Sequence, residues 1–253
     1  MSFPFIAALG WRAVFNEYVS TKTFNVGNLG MTEDGSFWRL AKAGGAMTNA
    51  HRGVINANRH LTGVTGDSAE TALNSAIAAG DTSMVIDDAT NARAADYWKG
   101  GYTADPRAAG EGPHYIWKSD AENSDKYTIH VGGDFALANA SGNTVHAYPS
   151  PYGDIRAANA RYPSGNEQFA GAIPFGAITS GKYFWLKVKG PNWFGVTSTW
   201  PGAAAEDRLC TFHTDGSIEM ADESYNGGKS NQIAGYLMYS GDYGDVMLMM
   251  NMW

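Results

Sequence analysis

The chain contains little of several residue types on which common functions depend. Its 253 residues include one cysteine, Cys210, which excludes an internal disulfide framework and any multi-cysteine zinc or iron–sulfur site. Charged residues make up 17% of the chain and the net charge is -7, against roughly 25% charged residues in average soluble domains. Nucleic-acid binders need surplus lysine and arginine to neutralise phosphates. The acidic balance therefore argues against nucleic acid as a partner.

Long apolar runs are also missing. No stretch approaches the roughly 18 consecutive apolar residues that a transmembrane helix requires, so we expect no membrane partner. The opening run FPFIAAL at 3–9 is too short to span a bilayer and has no basic region before it, unlike a secretion signal. We interpret residues 1–24 as an extended N-terminal arm.

Glycine and aromatic residues are abundant, with 31 Gly, 8 Trp, 13 Tyr and 11 Phe. Short segments of alternating polarity lie between clusters of Gly, Pro, Asn and Asp, which is typical of an all-β protein. We predict a barrel, sandwich or β-tulip-like domain over 25–253, with 148–171 the best place for a sub-domain boundary. The predicted strands are 37–41, 84–86, 97–102, 114–118, 126–131, 154–157, 182–189, 208–213, 217–220, 233–239 and 245–252.

Two of these strands differ in how their faces are expected to be covered. In 182–189, alternation predicts one buried face and one exposed face that carries Trp185 and Lys187. In 245–252 both faces are apolar, which favours a strand covered on one side by the domain and on the other by another subunit. We therefore assign Met247, Met249 and Trp253 to subunit contact.

The best helix candidate covers 68–79, with Asp67 or Ser68 as the N-cap and Gly80 as the stop. The same residues would also serve as a loop that leads into the 84–86 strand. The segment Gly66-Asp67-Ser68 resembles the nucleophile motif of GDS-type ester hydrolases. Because no histidine follows with the Asp-x-x-His spacing, we favour a plain helix cap.

No other segment has the pattern of a catalytic or metal site. The six histidines show no i,i+4 pair, and the acidic pair Asp87-Asp88 lacks the glycine and closing Glu of a calcium loop. Cys210 lies in a strand-like context and is expected to be a buried, inert thiol. We predict no cofactor and no catalytic residue.

The tryptophans suggest two alternatives. If they lie on strands, they could form a platform on which sugars stack, or they could belong to the hydrophobic core and the subunit contacts. Aromatic side chains bury a large area, which favours the core and subunit contacts. The residues considered are Trp98, Trp117, Trp185, Trp193 and Trp200.

Nine segments follow one another along the chain: NVGNLGMT at 25–32, DGSFWR at 34–39, AGGA at 43–46, AGDTSMVI at 79–86, GGY at 100–102, GEGPHYIWKS at 110–119, PYGD at 151–154, ITSGKYFWLKVKGP at 178–191 and NQIAGYL at 231–237. This ordered series resembles the capsid decoration (cement) proteins of tailed bacteriophages. One departure is Ser150, which stands where that family has Asn before its Pro-Tyr pair.

The resemblance implies a non-catalytic virion protein, made in the bacterial cytoplasm, that binds the outer surface of the mature capsid. Its partner would be the major capsid protein, and it would form a homotrimer. We assign capsid docking to aromatic residues of the arm: Phe3, Phe5, Trp11 and Phe15. Two alternatives remain, a virion-associated carbohydrate-binding or adhesin module and a hydrolase that uses Ser68.

Overall fold

A computed structural model describes most of the chain, and strands dominate it. The described residues are 6–19, 24–48, 51–56, 70–87, 94–104, 113–121, 123–158, 168–173, 176–195, 208–213, 215–221, 232–240 and 245–252. Their elements are β1 Ala7–Ala8, α1 Trp11–Val14, β2 Leu29–Met31, β3 Phe37–Lys42, β4 Gly53–Asn56, β5 Glu70–Leu73, β6 Ser83–Asp87, β7 Tyr102–Ala104, β8 His114–Ser119, β9 Lys126–Val131, β10 Thr144–Tyr148, β11 Ile155–Ala157, β12 Gln168–Ala172, β13 Tyr183–Gly195, β14 Leu209–Phe212, β15 Ile218–Met220, β16 Ile233–Ser240 and β17 Asp245–Asn251. The all-β prediction is confirmed. No described helix is long and apolar enough to cross a membrane.

The chain folds into two compact units, one inserted into the sequence of the other. The sheet unit comprises Pro4–Ala57 and Asp154–Trp253, and the barrel unit comprises Asn58–Gly153. The single β-rich range expected over 25–253 is thus divided in the structure. The second junction falls inside 148–171, whereas no sequence pattern indicated the first.

Six strands of the barrel unit close into a barrel in the order β10-β5-β6-β9-β8-β7. All six neighbouring pairs are antiparallel. In β9, Tyr127, Ile129 and Val131 alternate with polar residues and point into the core, where they are at most 2% exposed. Closure pairs the edges that an open sheet would leave free.

The predicted helix over 68–79 is wrong for its described part. Glu70–Leu73 form β5, which pairs with β6 and with β10. Leu73 and Ile77 fit helical spacing, but both lie in the barrel core, 1% and 4% exposed. Barrel closure requires a strand between β10 and β6, so ladder hydrogen bonds and burial outweigh the local helix propensity.

The predicted strand over 97–102 is also wrong except at Tyr102. The chain turns through 95–100, with Asp96 at a φ of 63°. This turn places Trp98 in the barrel core, where it is 5% exposed. Its ring meets Tyr127 edge to face at a centroid distance of 4.9 Å.

The sheet unit contains one sheet of eleven strands. Eight follow the order β1-β2-β3-β13-β17-β16-β14-β15, and the remaining three are β4, β11 and β12. The 13-residue strand β13 is the longest and pairs with β3, β12 and β17. The pair β1–β2 is parallel.

The strand predicted over 182–189 is buried on both faces, which corrects the expectation of one exposed face. The face predicted to be buried is at most 3% exposed: Phe184, Leu186 and Val188. Trp185 and Lys187, expected in solvent, are only 2% and 4% exposed. Trp185 is covered because it packs in one cluster with Val14 and other residues of the N-terminal segment.

The predicted arm over 1–24 is not separate from the fold in its described part, residues 6–19. Strand β1 pairs with β2, and Tyr18 exchanges backbone hydrogen bonds with Tyr183 at 2.8 and 2.9 Å. Val14 is fully buried, because the segment covers the rings of Trp38 and Trp185. Deletion of residues 1–24 would expose these rings rather than release a free arm.

Lys187 is a cation enclosed by this packing. Its Nζ lies 4.9 Å from the ring centroid of Trp38 and donates a hydrogen bond to the carbonyl oxygen of Pro191. Burial lowers the pKa of Lys187 to about 8, and the Asp34 carboxylate acts in the opposite direction. Below that pH, folding must bury a charged ammonium, which costs stability.

We predict that Lys187→Met flattens the pH dependence of the free energy of unfolding between about pH 8 and pH 10. The native lysine releases its proton near pH 8 and the unfolded one near 10.5, so wild-type stability rises through this window by up to about 1.4 kcal/mol per pH unit. Urea unfolding at a series of pH values measures the slope. Lys189→Met, on the same strand, should keep the wild-type slope. If Lys187→Met keeps the wild-type slope of unfolding free energy against pH, the lowered pKa of Lys187 is not the cause of that slope.

Candidate interaction surfaces

Strands β13, β17, β16 and β14 of the sheet unit carry apolar side chains on both faces. One face enters the main hydrophobic cluster, where Phe194, Leu237 and Leu248 are at most 6% exposed. The side chains on the opposite face remain partly exposed. We call this set the outer apolar face: Trp193, Leu209, Tyr236, Met247 and Met249.

Strand register brings these five side chains together. Trp193 is the partner of Met247 across β13 and β17. Met249 is the partner of Tyr236, and Tyr236 is in turn the partner of Leu209. Directly opposed side chains have Cβ atoms about 5 Å apart. The face therefore consists of a pair and a three-residue row, which share strand β17.

The composition of the outer apolar face is that of an interface. Trp193, Leu209 and Tyr236 are 42%, 46% and 52% exposed. Protein interfaces are enriched in aromatic residues and Met and are depleted of charge at their centre. The strand segments that form the face contain no charged residue: 191–195, 209–212, 233–240 and 246–250.

The structure places the three residues assigned to subunit contact as follows. Met247 and Met249 lie partly exposed on the outer apolar face, and Trp253 lies outside the described residues. Sequence reasoning missed Trp193, Leu209 and Tyr236. For Leu209 and Tyr236 the available signal was the same as in 245–252, namely apolar residues at both parities of a predicted strand. Trp193 lies beyond the predicted strand 182–189, which the structure extends to Gly195.

A second set of exposed apolar side chains lies on and beside the N-terminal segment. Trp11 and Phe15 stack with a centroid distance of 6.1 Å, and Trp11 Nε1 donates a hydrogen bond to Glu33 Oε1 at 2.9 Å. Phe3 and Phe5, also assigned to docking, lie outside the described residues. We call the exposed set the N-terminal patch: Ile6, Trp11, Phe15, Val19 and Met31.

Two of the tryptophans considered for a sugar-stacking platform are buried and two are exposed. Trp98 and Trp185 are buried in cores of different units, as the core interpretation requires. Trp117 in the barrel unit and Trp193 in the sheet unit are 48% and 42% exposed. Trp200 lies outside the described residues.

A polar cluster of the sheet unit surrounds Asp215, in the turn between β14 and β15. Its carboxylate lies 2.9 Å from Arg52 Nη1 and 3.0 Å from His213 Nδ1. It also accepts hydrogen bonds from the backbone N–H and the hydroxyl of Ser217. These hydrogen bonds and the Arg52 charge outweigh the effect of burial and hold the pKa of Asp215 at about 2.

The Asp215 cluster is a structural turn rather than a catalytic triad. A triad needs the serine hydroxyl aligned with the histidine base, whereas the Ser217 hydroxyl donates to the carboxylate. Ser217 is also fully buried, so no substrate reaches it. Ser68, the other serine considered, lies outside the described residues.

The single cysteine and the possible metal ligands form no further site in the described residues. Cys210 is fully buried, and burial raises the pKa of its thiol to about 12, so the prediction of a buried thiol is confirmed. Within the described ranges, no three His, Cys, Asp or Glu side chains are grouped so that they could hold a metal ion.

No protein-family model matches the chain, and comparison with curated proteins and with solved structures gives no match either. The function therefore has to be argued from the surfaces themselves.

We predict that Asp215→Ala removes part of the acid sensitivity of the fold. Because the pKa of Asp215 is depressed to about 2 from 3.8 in the native state, its contribution is complete above about pH 4 and is lost as the pH falls towards 2. The side chain is 44% exposed, so solvent screening reduces the contribution to about 1 kcal/mol.

Thermal unfolding at pH 7 and at pH 2.5 measures this contribution. The variant should be less stable than the wild type at pH 7 and closer to it at pH 2.5. Asp125→Ala, which alters a carboxylate of the barrel unit, provides the control. A deficit of equal size at both pH values would contradict the role of the charged carboxylate.

Proposed function

We propose that this protein is a non-catalytic structural component of a virion that binds the outer surface of a phage capsid and stabilises it. The observation that carries the proposal is the outer apolar face, four strands wide and without charge. The order of the decoration-protein motifs along the chain supports the same function. On this proposal the major capsid protein is the partner, and the protein acts as a homotrimer on the virion surface.

The energetics of the outer apolar face suit assembly on a lattice. Full burial of a large apolar side chain contributes about 1.5–3 kcal/mol. Three side chains that are about half exposed and two methionines that are less exposed therefore contribute roughly 4 kcal/mol. Association from free solution costs an estimated 4–15 kcal/mol, so this face alone supports weak self-association. A capsid shell already holds neighbouring copies close together, so most of the free-energy cost of association is absent there. The same contacts between copies then stabilise the assembly.

The N-terminal patch provides a second contact surface on the same unit. Trp11 and Phe15 are 38% and 44% exposed although they stack on one another. Because Val14 anchors the intervening turn in the core, both rings are held in place before any partner binds. Preorganised aromatic anchors lose little entropy on binding and are frequent hot spots of interfaces. We assign capsid docking to this patch.

The direct test adds purified protein to capsids that lack it and measures occupancy. We predict that Trp11→Ser with Phe15→Ser lowers occupancy at least about tenfold, because two aromatic anchors are lost. Leu137→Ser, which removes an exposed apolar side chain of the barrel unit, should keep wild-type occupancy. Failure of the wild-type protein to bind capsids, or to raise their heat tolerance, would overturn the proposed function.

We predict that Met247→Ser with Met249→Ser weakens self-association more than folding. Both side chains are partly exposed on the outer apolar face, so an interface formed there loses its centre. Sedimentation velocity over a concentration series measures the effect. Thermal unfolding of the variant measures the accompanying loss of stability. Met31→Ser, an exposed methionine on β2, is the matched control. An unchanged distribution of oligomers would contradict the assignment of this face to subunit contact.

A further inference from the structure

The outer wall of the barrel unit carries an aromatic surface of a different composition. Strands β10, β7, β8 and β9 point their aliphatic residues into the core, where Ile116, Val145 and Ala147 are at most 3% exposed. The alternating positions hold rings with polar atoms. We call these residues the aromatic belt: Tyr102, Tyr115, Trp117, His130 and Tyr148.

Strand register arranges the tyrosines of the belt in a row. Tyr148 is the partner of Tyr102 across β10 and β7, and Tyr102 is the partner of Tyr115 across β7 and β8. The rings of Tyr102 and Tyr115 meet edge to face at 5.9 Å. Neighbouring strands lie about 4.8 Å apart, so the row extends about 10 Å across the wall.

Trp117 lies next to this row in a fixed orientation. A bulge between Ile116 and Lys118 leaves Trp117 48% exposed. Its Nε1 donates a hydrogen bond to the carbonyl oxygen of Val131 at 3.1 Å, and its ring lies 5.6 Å from that of His130. The indole therefore presents its surface to solvent without freedom to rotate away.

Polar groups border the indole. His130 Nε2 lies 3.0 Å from Asp120 Oδ2, and Lys118 Nζ lies 2.6 Å from Asp120 Oδ1. Hydrogen bonds from Lys118 and His130 keep the pKa of Asp120 below its usual range, so the carboxylate is an acceptor at neutral pH. Acceptor and donor groups thus stand at the edge of an exposed ring.

This combination differs from that of the outer apolar face. The belt contains no methionine, leucine, isoleucine or valine; each of its rings carries a hydroxyl or an N–H. Aromatic faces stack on the C–H faces of pyranose rings, and fixed carboxylate, imidazole and ammonium groups bond their hydroxyls. The net charge of -7 disfavours a nucleic acid, which also stacks on aromatic rings.

We propose that the aromatic belt of the barrel unit is a binding site for a glycan, with Trp117 and Tyr102 as its stacking residues and Asp120 as a hydrogen-bond acceptor. The row accommodates a short saccharide rather than a single sugar. The site lies on the barrel unit, whereas the surfaces assigned to capsid docking and subunit contact lie on the sheet unit. A decoration protein with such a site would hold its virion on a carbohydrate surface.

The test applies full-length protein to a panel of immobilised oligosaccharides that includes glucans, N-acetylglucosamine oligomers and bacterial lipopolysaccharide polysaccharides. We expect the wild type to retain at least one class. For that class, Trp117→Ala and Tyr102→Ala should each bind about tenfold more weakly. Leu137→Ala, which removes an exposed apolar side chain of the barrel unit that does not belong to the belt, is the control and should bind as the wild type does.

Three outcomes would overturn the glycan site. They are retention of no glycan by the wild type, unchanged binding by both belt variants, and an equal loss of binding in Leu137→Ala. Thermal unfolding of each variant separates loss of the site from loss of the fold. Capsid occupancy of the same variants is measured in parallel. Loss of capsid occupancy in the belt variants would assign the belt to a protein partner instead. If the wild-type protein does not bind capsids, the proposed capsid function fails, but the glycan-binding result is unaffected.

Discussion

The two-sided burial of strand β13 is the constraint on which the sheet unit depends. Its first half is covered by the N-terminal segment around Trp185, and its second half carries Phe194 into the main cluster. The strand changes partner from β3 to β17 at Lys189. Gly190 makes this change feasible, because its φ is 109° and a Cβ there would lie 2.3 Å from Ser36 Oγ. Substitution at Gly190 would therefore disturb both halves at once.

The two units expose aromatic residues in chemically different settings. The outer apolar face mixes Trp193 and Tyr236 with methionine and leucine, and such side chains gain most by excluding water against another protein surface. The aromatic belt pairs Trp117 and Tyr102 with hydroxyl, imidazole and carboxylate groups, which suit a ligand that is itself polar at its edges. Surface composition, rather than exposed area alone, is the reason that we propose a different partner for each surface.

Alternation of polarity predicted the strands well where one face alone decides burial. Strand β9 has the same bounds as predicted, because its apolar residues line a closed core and its polar residues face solvent. The prediction failed where tertiary context adds a second cover or a new partner. Leu73 and Ile77 have helical spacing, yet Glu70–Leu73 form β5, since only a strand closes the barrel.

The residues of the outer apolar face, like the strands, were predicted only in part from the sequence. Met247 and Met249 stand out in sequence, because a strand that is apolar on both faces requires two covers. Trp193, Leu209 and Tyr236 could not be joined to them without the register of β13, β14 and β16. Such pairings link residues far apart in the chain, and local pattern carries no information about them.

The amino-acid sequence by itself determined the fold class, the lack of a disulfide framework and the apolar character of the final strand. These properties follow from composition and from the two-residue period of side chains along a strand. Only the tertiary structure decided that residues 6–19 cover Trp185, that Trp98 belongs to a core and that Trp117 faces outward. The reason is physical: whether an aromatic ring is buried depends on which distant segments pack over it, and that is settled by the free energy of the whole fold.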